Sequence, residues 1–101
     1  MNQPKVTIVG SLNMDLVVTA ERHPAIGETL TGENFTTLCG GKGANQAVAA
    51  ARLGCDVTFI GRVGNDAFGK EMIENLKNEG VNVEHIEMID DVESGIAMIT
   101  V

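Results

Sequence analysis

Residues 40–47 read Gly-Gly-Lys-Gly-Ala-Asn-Gln-Ala and stand directly before a series of small residues at helical spacing. Adjacent glycines can adopt positive φ angles, so backbone N–H groups at this point can come close to a ligand. A helix that starts here points the positive end of its dipole at the same place. Lys42 adds the only full positive charge between Arg22 and Arg52. The stretch therefore predicts a loop that holds an anion or a polyol.

Two common nucleotide-binding loops do not fit this stretch. The phosphate-binding pattern G-x-x-x-x-G-K-[ST] needs a glycine where Thr36 stands and a hydroxyl residue where Gly43 stands. The dinucleotide pattern G-x-G-x-x-G needs a third glycine where Gln46 stands. We therefore do not interpret the loop as a nucleotide-phosphate clamp.

Four short runs of β-branched and apolar residues predict strands, at residues 5–12, 57–60, 83–89 and 94–101. The first run is apolar enough for a strand that is buried on both faces. Helical patterns lie between the runs, and strands that alternate with helices at this spacing form a parallel sheet with right-handed connections. The sequence therefore predicts an α/β fold.

Two helices and a strand pair complete the prediction. Residues 16–20 and 29–38 predict an antiparallel pair that stands away from the main sheet as a flap. The first helix has small and apolar residues on one face and a glycine at its end: Ala44, Ala47, Val48, Ala51 and Gly54. The second has a capping residue, an apolar face and a terminal glycine: Asn65 or Asp66, then Phe68, Met72, Ile73, Leu76 and Gly80.

Composition favours a small-molecule ligand. The 101 residues carry a formal charge of −7, which argues against nucleic acid or an anionic membrane as a partner. No apolar stretch approaches the length of a membrane span, and no leader is recognised, so we expect a cytoplasmic protein. Cys39 and Cys55 lack metal or redox spacing and are predicted to be buried free thiols. His23 and His85 are expected at the surface or in the flap, and the acids of residues 84–93 form a solvated face without metal-ligand spacing.

Four segments together resemble the N-terminal signature of the ribokinase family of sugar kinases, also called the phosphofructokinase-B family. They are Val-Gly-Ser-Leu-Asn-Met-Asp at residues 9–15, Pro24 with Gly-Glu-Thr at residues 27–29, the block at residues 40–53, and Gly-Arg-Val-Gly-Asn-Asp-Ala-Phe-Gly at residues 61–69. Their order and spacing cover essentially the whole chain.

The resemblance implies a fold and an assembly. Residues 1–101 would be the N-terminal part of one doubly wound, mainly parallel α/β domain, with residues 16–38 and 95–101 as strands of a small β lid. The run at residues 96–101 stops without a turn or polar tail, which also suggests the N-terminal third of a longer protein. The family implies a homodimer through the lids. We expect the chain to aggregate or pack loosely in isolation.

The resemblance also implies a sugar site. Asn13 and Asp15 follow the first strand, where open α/β sheets bind ligands, and match the family's ribose-binding positions; from the residues alone they could equally form a turn. The further implied positions are Gly41, Lys42 and Asn45, with Met14, Gly43 and Ala44 offering only backbone or apolar contact. The glycines could instead serve close helix packing, and Lys42 could be a solvated loop cation.

The implied reaction transfers the γ-phosphoryl group of ATP to the 5-hydroxyl of D-ribose, with Mg²⁺ and activation by K⁺. The family's catalytic base lies in a Gly-Ala-Gly-Asp motif, which these 101 residues lack. We therefore assign no catalytic and no metal-binding residue here, and we expect this chain alone to be inactive. Two alternatives stay open, namely a related kinase for another sugar or nucleoside and a non-catalytic sugar-binding or interaction module.

Overall fold

The computed structural model describes residues 3–101, which form six strands, two helices and two sheets. In chain order the elements are β1 (Lys5–Val9), β2 (Asn13–Thr19), β3 (Glu33–Gly40), α1 (Lys42–Arg52), β4 (Asp56–Gly64), α2 (Ala67–Asn78), β5 (Asn82–Ile89) and β6 (Gly95–Thr100).

The first sheet is parallel and has the strand order β1-β4-β5. Helix α1 lies in the connection from β1 to β4, which also contains the inserted strands β2 and β3, and α2 connects β4 to β5. Connections of this kind between parallel strands are almost always right-handed. Both helices pack on the face that carries Val57 and Phe59, whereas Ile60 on the other face is 40% exposed. The predicted α/β fold with a parallel sheet is confirmed, and within residues 3–101 only one face of this sheet is covered by helices.

Strand β1 differs from its prediction. It ends at Val9 rather than at residue 12, and its burial alternates, so the expectation of a strand buried on both faces is wrong. Val9 is 75% exposed because β1 pairs with β4 alone in this sheet and has α1 on one face only. After Val9 the chain turns at Gly10 to pass directly against the first turn of α1.

The second sheet has the order β3-β2-β6, with β2 antiparallel to β3 and parallel to β6. The antiparallel pair predicted for residues 16–20 and 29–38 is confirmed as a pair, but its bounds are wrong. β2 starts three residues earlier, because Asn13 pairs with Gly40 on one side and Gly95 on the other. Residues 29–32 lie outside β3.

One apolar core joins the two sheets and both helices. Phe59 of β4 is its only aromatic member and is completely buried. Met14 of β2 is also completely buried, so the second sheet is anchored in the core of the first. The other buried members are aliphatic side chains or Met, namely Leu12, Ala44, Ala47, Val57, Val63, Met72, Leu76, Val81 and Ile86.

The helix ends follow the predicted chemistry. Gly54 and Gly80 come directly after the C-caps of α1 and α2 and have φ angles of +93° and +86°, a conformation that favours glycine. Asp66 caps α2, since its carboxylate accepts a hydrogen bond of 2.7 Å from the Gly69 N–H. Both predicted helices are therefore confirmed with their ends.

The position of α1 depends on a backbone contact between Gly43 and Gly10. A Cβ atom added to Gly43 would lie 2.9 Å from the Gly10 Cα and 3.1 Å from the Ser11 nitrogen. These are backbone atoms that cannot rotate away, and real Cβ atoms essentially never approach other heavy atoms more closely than 3.0 Å. Only glycine at residue 43 lets the first turn of α1 sit against the chain that leaves β1.

We predict that Gly43→Ala destabilises the protein by about 1–3 kcal/mol through this overpacking. The direction of this change in stability is informative, because replacing glycine by alanine inside a helix normally stabilises the helix by up to about 1 kcal/mol. Gln46→Ala, at an exposed position of α1, is the control and should change the free energy of unfolding by less than about 0.5 kcal/mol. Urea denaturation measures both, and a stabilising effect of Gly43→Ala would contradict the proposed contact.

Candidate functional site

Asn13 and Asp15 stand on β2 and point to the same side of the second sheet, since alternate residues of a strand share a face. Both are half-buried. Met14, between them, points the other way and is completely buried. The core thus fixes the strand that presents this amide and this carboxylate.

Two glycines make room for these side chains. In the register of the second sheet, Asn13 lies between Gly40 of β3 and Gly95 of β6. A Cβ atom on Gly95 would lie 2.5 Å from the Asn13 Oδ1, and one on Gly40 would lie 2.7 Å from the Asp15 Oδ2. The polar side chains therefore lie directly over glycine backbone on both neighbouring strands.

Neither polar side chain has a partner among the residues that the structure describes. Within residues 3–101, the Asn13 amide and the Asp15 carboxylate take part in no hydrogen bond or ion pair. A half-buried polar group that the fold does not use can bind a ligand without losing an internal bond. An amide can donate and accept, and a carboxylate can accept twice, which suits adjacent hydroxyl groups.

Helix α1 starts next to this pair, because the residue after Gly40 is its N-cap, Gly41. Gly41 has φ +102°, and a Cβ atom there would lie 2.5 Å from the Ser11 carbonyl oxygen, so no other residue fits without a shift. The cap contributes no side-chain hydrogen bond. Lys42 and Asn45, on the first turn, are exposed and make no ion pair or side-chain hydrogen bond within the described chain.

The eight residues assigned from the sequence therefore divide into two groups. The polar members and Gly41 lie at the surface or half-buried around the start of α1, where a ligand can reach them. Met14, Gly43 and Ala44 are buried, so the Met14 and Ala44 side chains and the Gly43 backbone pack in the interior. The structure brings the first group to one region formed by β2 and the start of α1: Asn13, Asp15, Gly41, Lys42 and Asn45.

A large groove lies mostly outside this region. It has a volume of about 490 Å³ and runs between α1 and α2 beside β3, with apolar walls that include Leu38, Val48 and Met72. Of the five residues of the region described above it includes only Asn45, together with the neighbouring Gly40 and Ala44. Its two charged residues, Arg52 and Glu79, already pair with each other at 2.6 Å, so we do not place the site there.

Other chemically capable residues stay apart. His23 and His85 are exposed, as predicted. Cys39 and Cys55 are free thiols, but they are half-buried, so the prediction that they are buried is wrong. Desolvation, followed by the negative charges of Glu71 and Asp15, raises the pKa of the Cys39 thiol. Among residues 3–101 no three His, Cys, Asp or Glu side chains converge on a possible metal position. Neither helix of the described chain has the length and apolarity to cross a membrane.

Asp66 has a second set of contacts beyond its helix cap. Its carboxylate also accepts hydrogen bonds from the N–H and hydroxyl of Ser94, each 2.8 Å long. The bonds from Ser94 and from the Gly69 N–H lower the pKa of Asp66 below its ordinary value. The sequence predicts the cap but not the bond to Ser94. It also does not predict Gly40 and Gly95 as neighbours of Asn13, because only the strand register reveals them.

Known proteins resemble this chain along nearly its whole length. Residues 3–101 match the family described as pfkB family carbohydrate kinase. Ribokinase of Bacillus subtilis is 50% identical over 94 residues, which are 93% of this chain and 32% of that protein. Deoxyribokinase of Salmonella typhi is 42% identical over 95% of this chain and 31% of that protein.

A solved structure agrees with these relatives. Arabidopsis thaliana ribokinase complexed with ribose and ATP matches with a TM-score of 0.86 and 40% identity, over 99% of this chain and 32% of that one. The chain thus spans about a third of the length of the proteins it matches. The expected family resemblance is confirmed, and the chain belongs to the pfkB family of carbohydrate kinases.

Proposed function

We propose that this chain supplies sugar-binding residues of a ribokinase, which transfers the γ-phosphoryl group of ATP to the 5-hydroxyl of D-ribose. The observation that carries the proposal is the pair of half-buried polar side chains, Asn13 and Asp15, that lie over glycine backbone and have no hydrogen-bond partner in the described part of the chain. The 50% identity to a ribokinase supports the same reaction.

In this proposal each residue around the site has a distinct task. Asp15 accepts hydrogen bonds from sugar hydroxyls, and Asn13 both donates and accepts. The backbone at Gly41 and the start of α1 offers N–H donors, with Lys42 and Asn45 as further donors from the first turn. These contacts hold the sugar in one orientation, which makes phosphoryl transfer to one chosen hydroxyl effectively intramolecular.

We place the catalytic base, the ATP site and the Mg²⁺ and K⁺ sites in the remainder of the complete protein. Residues 3–101 hold no converging set of metal-binding side chains. Their task in the reaction is therefore to bind and orient the sugar, while Mg²⁺ would neutralise phosphoryl charge elsewhere. Because ATP is its phosphoryl donor, we place the complete enzyme in the cytoplasm.

A second candidate substrate is 2-deoxy-D-ribose. The 42% identity to a deoxyribokinase favours it, because the two reactions differ only in whether the sugar has a 2-hydroxyl. A site that hydrogen-bonds this hydroxyl discriminates strongly against the sugar that lacks it, since its buried polar groups would be left unpaired.

We expect the complete protein to transfer phosphate from ATP to D-ribose with a higher kcat/KM than to 2-deoxy-D-ribose, and to release little ADP when no sugar is present. A coupled assay of ADP release with a panel of pentoses, hexoses and nucleosides measures this, and this 101-residue chain serves as the inactive comparison. Preference for another sugar would support a related kinase. Sugar binding without turnover by the complete protein would support the non-catalytic module.

Asp15→Ala in the complete protein should lower kcat/KM for ribose at least about 30-fold, because bound hydroxyls lose a charged acceptor. The protein should stay folded, since the Asp15 carboxylate has no hydrogen-bond or ion-pair partner within residues 3–101. Glu74→Ala, which removes one exposed negative charge from α2, is the matched control. Unchanged kcat/KM for Asp15→Ala would remove Asp15 from the site.

We further propose that the second sheet, with residues 16–38 and 95–101, is a lid through which two copies associate. Its apolar side chains Phe35, Ile96 and Met98 are 67%, 51% and 83% exposed, and exposed apolar patches of this kind mark interaction surfaces.

Met98→Asp in the complete protein should therefore convert a dimer into a monomer in sedimentation analysis, because a charge would be buried without a partner. Val92→Asp, at an exposed apolar position outside the second sheet, should leave the dimer intact. A monomeric unsubstituted protein, or a Met98→Asp variant that stays dimeric, would contradict this surface.

A further inference from the structure

A set of hydrogen bonds joins the start of α2 to the start of β6. One oxygen of the Asp66 carboxylate accepts from the Gly69 N–H at 2.7 Å, which caps α2, and from the Ser94 hydroxyl at 2.8 Å. The other oxygen accepts from the Ser94 N–H at 2.8 Å. The same carboxylate therefore fixes a helix end and the residue that directly precedes β6.

Ser94 is held from a second side as well. It is 7% exposed and is the one buried polar residue in the described chain. Its hydroxyl accepts a hydrogen bond of 2.9 Å from the Gly64 N–H at the end of β4. A buried hydroxyl with a donor and an acceptor in place costs free energy when either is lost.

Two glycines permit this approach. A Cβ atom on Gly64 would collide with the Val92 carbonyl oxygen and lie 2.5 Å from the Ser94 nitrogen. One on Gly69 would collide with the Gly64 carbonyl oxygen and lie 3.0 Å from the Ser94 hydroxyl. We call these four residues, Gly64, Asp66, Gly69 and Ser94, the β6 clamp.

The β6 clamp is one residue away from the candidate sugar site. Gly95, directly after Ser94, pairs with Asn13, and Ala97 pairs with Asp15. The Asn13 Oδ1 lies so close to Gly95 that a Cβ atom there would be 2.5 Å away. A shift of Ser94 would therefore move the backbone over which the Asn13 side chain lies.

We propose that Asp66 and Ser94 are positioning residues for sugar binding, which hold β6 against β2 so that Gly95 and Ala97 keep Asn13 and Asp15 in their binding arrangement. This inference rests on the proposed function, because it takes Asn13 and Asp15 as the residues that bind the sugar. Asp66 and Ser94 themselves act only through β6.

Asp66→Asn in the complete protein separates the two tasks of this carboxylate. Asparagine is as good a helix cap as aspartate, so its oxygen can still accept from the Gly69 N–H. Its amide group then replaces the oxygen that accepts from the Ser94 N–H, and two donors face each other. Ser94→Ala tests the same clamp from the other side, since it removes the hydroxyl and keeps the backbone N–H.

Two measurements test the effect of these substitutions. We expect amide hydrogen exchange in residues 95–100 to become at least about tenfold faster in both variants, while exchange in β4 changes little. We expect the Kd for ribose, measured by calorimetry without ATP, to rise about tenfold in both. Val57→Ala, a buried substitution at the other end of β4, is the control for general destabilisation and should leave the Kd for ribose unchanged.

Each outcome decides the inference. Faster β6 exchange together with weaker ribose binding, absent from Val57→Ala, supports the positioning role. Unchanged β6 exchange overturns the clamp, and faster exchange with an unchanged Kd overturns its link to the sugar. A similar rise in Kd for Val57→Ala also overturns that link, because general destabilisation then explains it. If the unsubstituted protein binds no ribose, the proposed function fails first and the positioning role is overturned with it, whatever the exchange shows.

Discussion

The backbone contact between Gly10 and Gly43 is the constraint on which the rest of this structure depends. It joins the point where the chain leaves the first sheet to the first turn of α1, with no side chain between them. Because Asn13 starts the second sheet three residues after Gly10, and Lys42 directly precedes Gly43, the same contact brings β2 and the helix start together. The candidate site thus lies beside a direct backbone contact that only glycine permits.

Local patterns predicted those parts of the fold that local chemistry decides. The helices followed from apolar spacing, and Gly54, Gly80 and Asp66 marked their ends, because each end needs a particular φ angle or hydrogen-bond acceptor. The burial of β1 was not predictable in this way. Its apolar residues suit a fully buried strand, but burial depends on what packs on each face, and within residues 3–101 helix α1 covers one face only.

In the candidate site, too, some features follow from the local sequence and others depend on distant parts of the chain. Asn13 and Asp15 could be selected from the sequence, since polar residues after a first strand lie where α/β sheets bind ligands. Their placement on β2 rather than in a turn depends on pairing with Gly40 and Gly95, which are far away in the chain. The bond between Asp66 and Ser94 was not predictable for the same reason, because it joins residues that are far apart in the chain. A strand register is a nonlocal property, and one residue of slip would move each side chain to the opposite face.

The parallel pairing of β2 with β6 also sets an order of assembly. During synthesis β2 meets its antiparallel neighbour β3 early, but its other edge stays open until β6 has been made, after both helices and the strands β4 and β5. Closing such a long loop is slow because its entropy must be lost before the pairing stabilises it. The free edge of β2, with Leu16, Val17 and Val18 in sequence, is therefore open to unwanted strand pairing until β6 has been made.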